Sequence, residues 1–131
     1  MDSQIKILIA DNSLSARLIL SGLLEHEFGI SSDDILTAEN GQEALEIALK
    51  ESLDLVLLDW YMGNMNGIET LKAIRNADIQ VPVLMVTSES DPDRLKSALE
   101  AGANDYLSKP VTSKSLSSKV SALVTVKQTQ D

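Results

Sequence analysis

Three short apolar runs, each closed by a polar residue that can do chemistry, constrain this chain more than any other feature. Ile5 to Ala10 ends on Asp11-Asn12, Leu53 to Leu58 is broken only by Asp54 and ends on Asp59, and Val83 to Val86 ends on Thr87-Ser88. A continuous apolar run of this length reads as a strand buried on both faces, the usual sign of a parallel sheet. Ile35 to Ala38 is a weaker strand, and Asp105 to Leu107 is a short fifth one leading to Ser108-Lys109-Pro110. Pro82, early in the fourth strand, stands where a missing N–H does least harm.

Between these runs the spacing becomes helical. Leu14, Leu18, Leu23, Leu24 and Phe28 recur at helical intervals and stop at Gly29. Asn40 with Glu43, and Asn66 with Glu69, are cap pairs that open the second and third helices. The second runs from about Gly41 to Glu51 with Ala44, Leu45, Ala48 and Leu49, and the third turns Ile68, Leu71 and Ile74 inward. Asp91-Pro92 is a cap with a first-turn proline, ahead of Leu95, Ala98 and Leu99 and a stop at Gly102. Thr112 opens a last helix with Leu116, Val120, Leu123 and Val124 on one face, and polar Lys127 to Asp131 should fray. Five strands alternating with five helices imply an α/β, doubly wound parallel sheet with helices on both faces. The expected strand order, 2-1-3-4-5, rests on resemblance to flavodoxin-like sheets, where ligands bind past the carboxyl ends of the strands at the switch point between the first and third.

Composition narrows the chemistry. At 131 residues the chain fits a single domain, and with no cysteine it has no disulfide, thiolate nucleophile or cysteine-held metal. The net charge of −9 disfavours nucleic acid and anionic lipid as partners. Residues 1 to 70 hold 13 acids against 3 bases and residues 71 to 131 hold 7 against 8, so the two halves offer different surfaces. Met1 to Gln4 lacks the regions of a signal peptide, and the expected location is cytoplasmic.

Asp11, Asn12, Asp59, Thr87 and Lys109 come from separate loops that this fold gathers on one sheet edge. Alone, each is an ordinary loop or cap residue; the combination is not. Two carboxylates about 4 Å apart repel by roughly 4 kcal/mol at an effective dielectric near 20, so they call for a shared proton or a cation. An all-oxygen donor set suits Mg²⁺, and the sole histidine, His26, lies in the first helix. A lysine and a hydroxyl beside a metal-bound carboxylate are the groups that receive a phosphoryl group, with a carboxylate as nucleophile. Asp59 is the better acceptor, being central and followed by a glycine-containing loop whose amides can approach incoming oxygens.

The chain resembles the receiver domain of response regulators over its whole length. The resemblance rests on four segments in order: Ile7 to Ser13, Leu57 to Gly67, Val86-Thr87-Ser88 and Lys109-Pro110. It implies a receiver over residues 1–126 with a short polar tail at 127–131, and a single-domain, chemotaxis-like switch rather than a metabolic enzyme. By the same resemblance Asp59 is the phosphoacceptor, charged by a histidine kinase. Mg²⁺, with Mn²⁺ as substitute, would be held by Asp11, Asn12, Asp59 and the Tyr61 carbonyl. Thr87 and Lys109 would bind phosphoryl oxygens together with Trp60 and Ser88, Thr87 and Tyr106 would be switch residues, and Lys109-Pro110 a cis peptide. Output would pass through the face of the fourth helix, fifth strand and fifth helix, with Lys96, Lys114 and Lys119 available to an acidic partner. No oligomeric state is implied. A degenerate receiver serving as a constitutive interaction module is the main alternative, and an Mg²⁺-dependent phosphohydrolase the second.

Departures from the family pattern carry their own expectations. Gly63 stands at the usual proline, adding loop freedom, and Tyr61 is bulky enough to hinder attack by water on the phosphoaspartate. Asn12 replaces a usual acid, which removes one negative charge from the metal site. Asn12→Asp should therefore bind Mg²⁺ more tightly in a fluorescence titration; coincident midpoints would contradict the charge argument.

Overall fold

The computed structural model describes residues 5–63 and 65–130, with side chains described as far as Val124. Five strands, β1 (Ile7–Ala10), β2 (Ile35–Ala38), β3 (Leu55–Leu58), β4 (Val83–Thr87) and β5 (Asp105–Ser108), alternate with five helices. The helices are α1 (Leu14–Phe28), α2 (Gly41–Lys50), α3 (Gly67–Asn76), α4 (Pro92–Glu100) and α5 (Ser113–Gln130), with a 3-10 turn at Ser32–Asp34. All pairings are parallel and the order is β2-β1-β3-β4-β5. Asn64 and Asp131 of the expected loop and tail lie outside the described residues, while the backbone of α5 continues through Lys127 to Gln130.

The period of two along each strand divides the core into two layers. Leu8, Ala10, Val56, Leu58, Val83 and Met85 pack toward α2 and α3, with Ala44, Ala48, Leu71 and Ile74. Ile7, Ile9, Leu55, Leu57, Leu84 and Val86 pack the other way, against Leu20 and Leu24 of α1 and Leu116 and Val120 of α5. Both faces being covered is why these strands carry no polar alternation. Truncating one of their large side chains removes about 2–5 kcal/mol.

The caps hold as the sequence indicates. Asn66 and Glu69 form a reciprocal capping box, Asn40 accepts from the Glu43 amide, and Asp91 accepts from Asp93 ahead of α4. Thr112 and Ser115 exchange backbone-to-hydroxyl bonds at the start of α5. Four apolar positions differ from the periodicity reading. Leu14 and Leu18 are about 60% exposed, and Leu49 and Leu99 also face outward. In α1 the buried residues are Leu20 and Leu24, so its inner stripe is narrower than its leucine content suggests. Leu53 precedes β3 rather than belonging to it; the Asp54 amide donates to the Lys6 carbonyl and the Lys6 amide to Asp54 Oδ2, joining the entry of β3 to that of β1.

Gly67 shows how tightly the fold closes around the sheet edge. A Cβ there would meet the Asp59 carbonyl oxygen at 2.3 Å and the Trp60 Cα at 2.9 Å, and the Gly67 amide donates to the Trp60 carbonyl at 2.8 Å. Only glycine lets α3 start this close to the end of β3. Gly67→Ala should cost about 1–3 kcal/mol in urea unfolding. Gly22→Ala, with nothing within 4 Å of the added carbon in mid-α1, should stabilise by about 0.5–1 kcal/mol. The same sign for both would refute the close-approach argument.

Candidate functional site

The register of the sheet builds the site. Ala10 pairs with Leu58, so the residues that follow, Asp11 and Asp59, leave adjacent strands at the same level, and the Asp59 amide donates to the Ala10 carbonyl at 2.9 Å. Leu58 pairs with Met85, which brings Thr87 to the same edge. Thr87 pairs with Ser108, and the Lys109 amide donates to the Thr87 carbonyl at 2.9 Å. Four chain segments thus meet through backbone pairing alone.

The side chains then converge. Asp11 is 1% exposed, Asp59 6% and Thr87 0%, so all three are buried polar groups. Lys109 Nζ donates to Asp11 Oδ2 at 2.9 Å and stands 3.6 Å from Asp59 Oδ2. The second oxygen of each acid is used locally: Asp11 Oδ1 accepts from the Ser13 amide and Asp59 Oδ1 from the Trp60 amide. The Lys109–Pro110 peptide that precedes Val111 is cis. Arg17 of α1 donates to the Asp11 carbonyl at 2.7 Å, fixing the loop that carries the acid.

One ammonium between two carboxylates leaves the site short of positive charge. Burial raises the Asp59 carboxyl above the ordinary range, and the Asp11 charge adds to this, against the opposing pull of Lys109 and the Trp60 amide. Burial works against the Lys109 ammonium as well. Its hydrogen bond to Asp11 and the two carboxylate charges outweigh that, so its proton is held more firmly than usual.

The remaining predicted residues fall into two groups. Asn12 and Ser88 are exposed at the rim, and Tyr61 is half-exposed. Trp60 is buried in the α2/α3 layer, and Tyr106 is half-buried against that same layer. Gly63 has φ +85°, a left-handed conformation that a proline cannot adopt. Its role is therefore a required backbone shape, which corrects the expectation of loop freedom alone. His26 is on α1, beside Glu27 and away from the strand ends.

Sequence reasoning missed a polar group at the rim. The Tyr61 hydroxyl donates to Glu89 Oε1 at 2.5 Å, and Arg94 Nη1 donates to both groups at 3.2 Å. The hydrogen bond to Glu89 raises the Tyr61 hydroxyl and lowers the Glu89 carboxyl, while the Glu89 charge raises Arg94. Residues 28 and 33 positions apart give no local signal of such a pairing. Among the described residues no group of three or more acidic, histidine or cysteine ligands gathers, and no helix is long and apolar enough to cross a membrane.

The chain matches the family described as response regulator receiver domain over residues 7–121. It is 44% identical over 120 residues to a protein of Haemophilus influenzae named transcriptional regulatory protein CpxR homolog, covering 91% of this chain and 50% of that one. It is 36% identical over 118 residues to a chemotaxis protein CheY homolog of Campylobacter jejuni, covering 88% of each. A solved response regulator receiver domain protein from Clostridium thermocellum superposes with a TM-score of 0.87 at 29% identity, covering 97% of this chain and 99% of that one. The chain spans about half the length of its CpxR-named relatives.

The raised Asp59 carboxyl has a consequence for stability. The folded protein holds this proton to higher pH than the unfolded chain does, so the stabilisation it brings is complete below the unfolded value and is lost as pH rises through the folded one. At neutral pH ionised Asp59 is a net strain. Asp59→Asn should therefore unfold at higher urea than wild type at pH 7 in EDTA, and the gap should close as the pH falls to about 4. Equal midpoints at pH 7 would remove the argument.

Proposed function

The chain belongs to the response regulator receiver domain family, and we propose that it accepts a phosphoryl group on Asp59 from a phosphohistidine of a histidine kinase and thereby changes its affinity for a partner protein. Receiver domains are phosphorylation switches rather than metabolic enzymes, and this chain is the CheY-like receiver of a two-component system. The observation that carries the proposal is the Lys109 ammonium shared by two buried acids, with the buried Thr87 at the same strand edge. Such a set concentrates donors where a phosphoryl group would place its oxygens.

The transfer is a displacement at phosphorus. An Asp59 oxygen forms the new P–O bond as the P–N bond of the donor breaks, and the departing imidazole retains the nitrogen lone pair and takes a proton. Lys109 turns from its carboxylates toward one phosphoryl oxygen, the Thr87 hydroxyl donates to another, and backbone N–H groups of the loop after Asp59, together with Ser88 at the rim, are placed to assist. Hydrolysis returns the carboxylate, as water supplies the oxygen that leaves with phosphate.

The donor chemistry fits Mg²⁺. Asp11, Asp59, the Asn12 amide oxygen and the Tyr61 carbonyl are all hard oxygen donors, and two carboxylates facing one ammonium leave negative charge to be neutralised. Bound there, the ion would supply electrostatic neutralisation of the phosphoryl oxygens. Mn²⁺ shares that preference. The rim also offers a landing place. Exposed Ile19 of α1 lines an apolar cleft of about 200 Å³ together with Ala16, Leu20, Val86, Pro110 and Val111, next to Lys109. A donor must bring its phosphorus to bonding distance of Asp59, and this apolar cleft beside Lys109 would receive an apolar side chain of the donor protein.

The output proposed is protein binding through α4, β5 and α5 in the cytoplasm, without direct contact to nucleic acid by this chain, in keeping with its net charge of −9. A second reading has the receiver acting within a transcriptional regulator, favoured by the 44% identity to half of the CpxR homolog.

Trp60 is buried beside Asp59 and reports on the site. Mg²⁺ with beryllofluoride should change its fluorescence in wild type and leave Asp59→Asn silent, and acetyl phosphate should add one phosphoryl mass to wild type alone. Silence together with no adduct would favour a constitutive interaction module; turnover of small phosphoesters would favour a phosphohydrolase.

A further inference from the structure

The loops leaving β3 and β4 are joined beyond the site by one cluster of side chains. Tyr61 lies two residues past Asp59, and Glu89 lies two residues past Thr87. Asp59 follows β3 and Thr87 ends the neighbouring β4, so the Tyr61–Glu89 bond of 2.5 Å ties together the two loops that leave the site. Glu89 is saturated with donors: Tyr61 and Arg94 on Oε1, and the Asp91 amide on Oε2 at 2.9 Å. Its side chain is only 10% exposed although it sits at the rim. Its own amide donates to Thr87 Oγ1 at 3.0 Å, so the Thr87 hydroxyl belongs to the same arrangement. Arg94 is the third residue of α4 and contributes the only cation of the cluster.

We propose that Arg94 is a positioning residue which, through Glu89, holds the Tyr61 ring across the mouth of the Asp59 site and so limits both phosphoryl entry and phosphoryl loss. The proposal rests on the phosphoryl-transfer reading above and extends it to a residue outside the site. Water attacking the phosphoaspartate and the leaving group of an incoming donor use the same in-line direction, opposite the Asp59 oxygen. A ring held across that direction slows both reactions together. A ring released from Glu89 is free to rotate away, and both quicken. Since Asp91 caps α4 and Arg94 lies in its first turn, displacement of that end of the helix opens the mouth, and by linkage an open mouth favours the displaced end.

The test uses wild type, Arg94→Ala, Arg94→Lys, Tyr61→Ala and the Arg94→Ala/Tyr61→Ala pair. Two quantities are read: uptake from acetyl phosphate and loss after donor removal, both by intact mass, and the Tyr61 ring resonances in the metal-free protein. Arg94→Ala should raise both rates roughly threefold to tenfold, the worth of a hydrogen-bonded charged contact. It should also shift the Tyr61 ring signals, with Arg94→Lys restoring values near wild type. In the Tyr61→Ala background, removing Arg94 should add nothing. Unchanged rates in Arg94→Ala, with wild type taking the phosphoryl group normally, would overturn the gate alone. Equal effects of Arg94→Ala with and without Tyr61 would also overturn it, since Arg94 would then act elsewhere. No adduct in any of the proteins would overturn the phosphoryl-transfer reading and the gate with it.

Discussion

Two carboxylates held by one ammonium at the end of a buried sheet is the arrangement on which the rest of this molecule turns. Lys109 reaches Asp11 at 2.9 Å and Asp59 at 3.6 Å, so its charge is spent unequally, and Asp59 is the less satisfied acid. Burial and the neighbouring Asp11 both work against its ionised form. A protein selected for stability alone would place an amide or an apolar group there. What the ionised pair provides is a standing demand for positive charge and a carboxylate with little competing for its free lone pairs. Strain of this kind is typical where binding is meant to relieve it.

Everything that positions this pair is backbone geometry rather than side-chain design. Parallel register between β1 and β3 brings Asp11 and Asp59 out level with each other, and pairing of β3 with β4 and of β4 with β5 delivers Thr87 and Lys109. The apolar layers on both faces make that register costly to slip, because a shift of one residue would exchange the two layers along every strand. Close approach at Gly67 then fixes where α3 begins, and with it the path of the loop that carries Trp60 and Tyr61. The site is rigid from below, where hydrogen-bonded strands hold it, and adjustable from above, where only loops meet.

That division explains what could be read from the sequence. Strand ends were legible because a buried strand must be apolar until it leaves the core, so Asp11, Asp59 and Thr87 mark their own positions. Asn40, Asn66 and Asp91 were legible as caps because capping is local, acting within three residues. Leu14, Leu18, Leu49 and Leu99 misled because helical spacing finds a stripe without saying how wide the facing surface is. The identity of Gly63 alone points to loop freedom, whereas φ +85° shows a specific demand on the backbone. The Tyr61–Glu89–Arg94 cluster was invisible for a different reason: it joins two loops whose approach is set by strand pairing, and no spacing rule reaches across that distance.

Helix α4 is held at its two ends by contacts of different kinds, and that difference bears on how it can move. At its C-terminal end Arg75 of α3 donates to the Gly102 carbonyl through Nε at 3.2 Å and Nη2 at 2.9 Å, and its Nη1 holds the Ile79 carbonyl. Asn104, which accepts from Arg75, also accepts from the Val83 amide at 2.8 Å, so this clamp is built into the start of β4. Burial lowers the Arg75 guanidinium, a sign that it sits among protein groups rather than in water. At the N-terminal end the helix is held by Glu89, through the Asp91 amide and a solvent-facing Arg94. Water can replace the Arg94 contacts far more easily than it can reach Arg75, so opening at the N-terminal end costs less free energy. Moving a two-state element from 1:99 to 99:1 takes about 5.5 kcal/mol, and charged contacts to a phosphoryl group are of that order when several form together. On the phosphoryl-transfer reading proposed above, energy released at the sheet edge would act most readily on the first turn of α4, the part of the helix that Glu89 ties to Thr87.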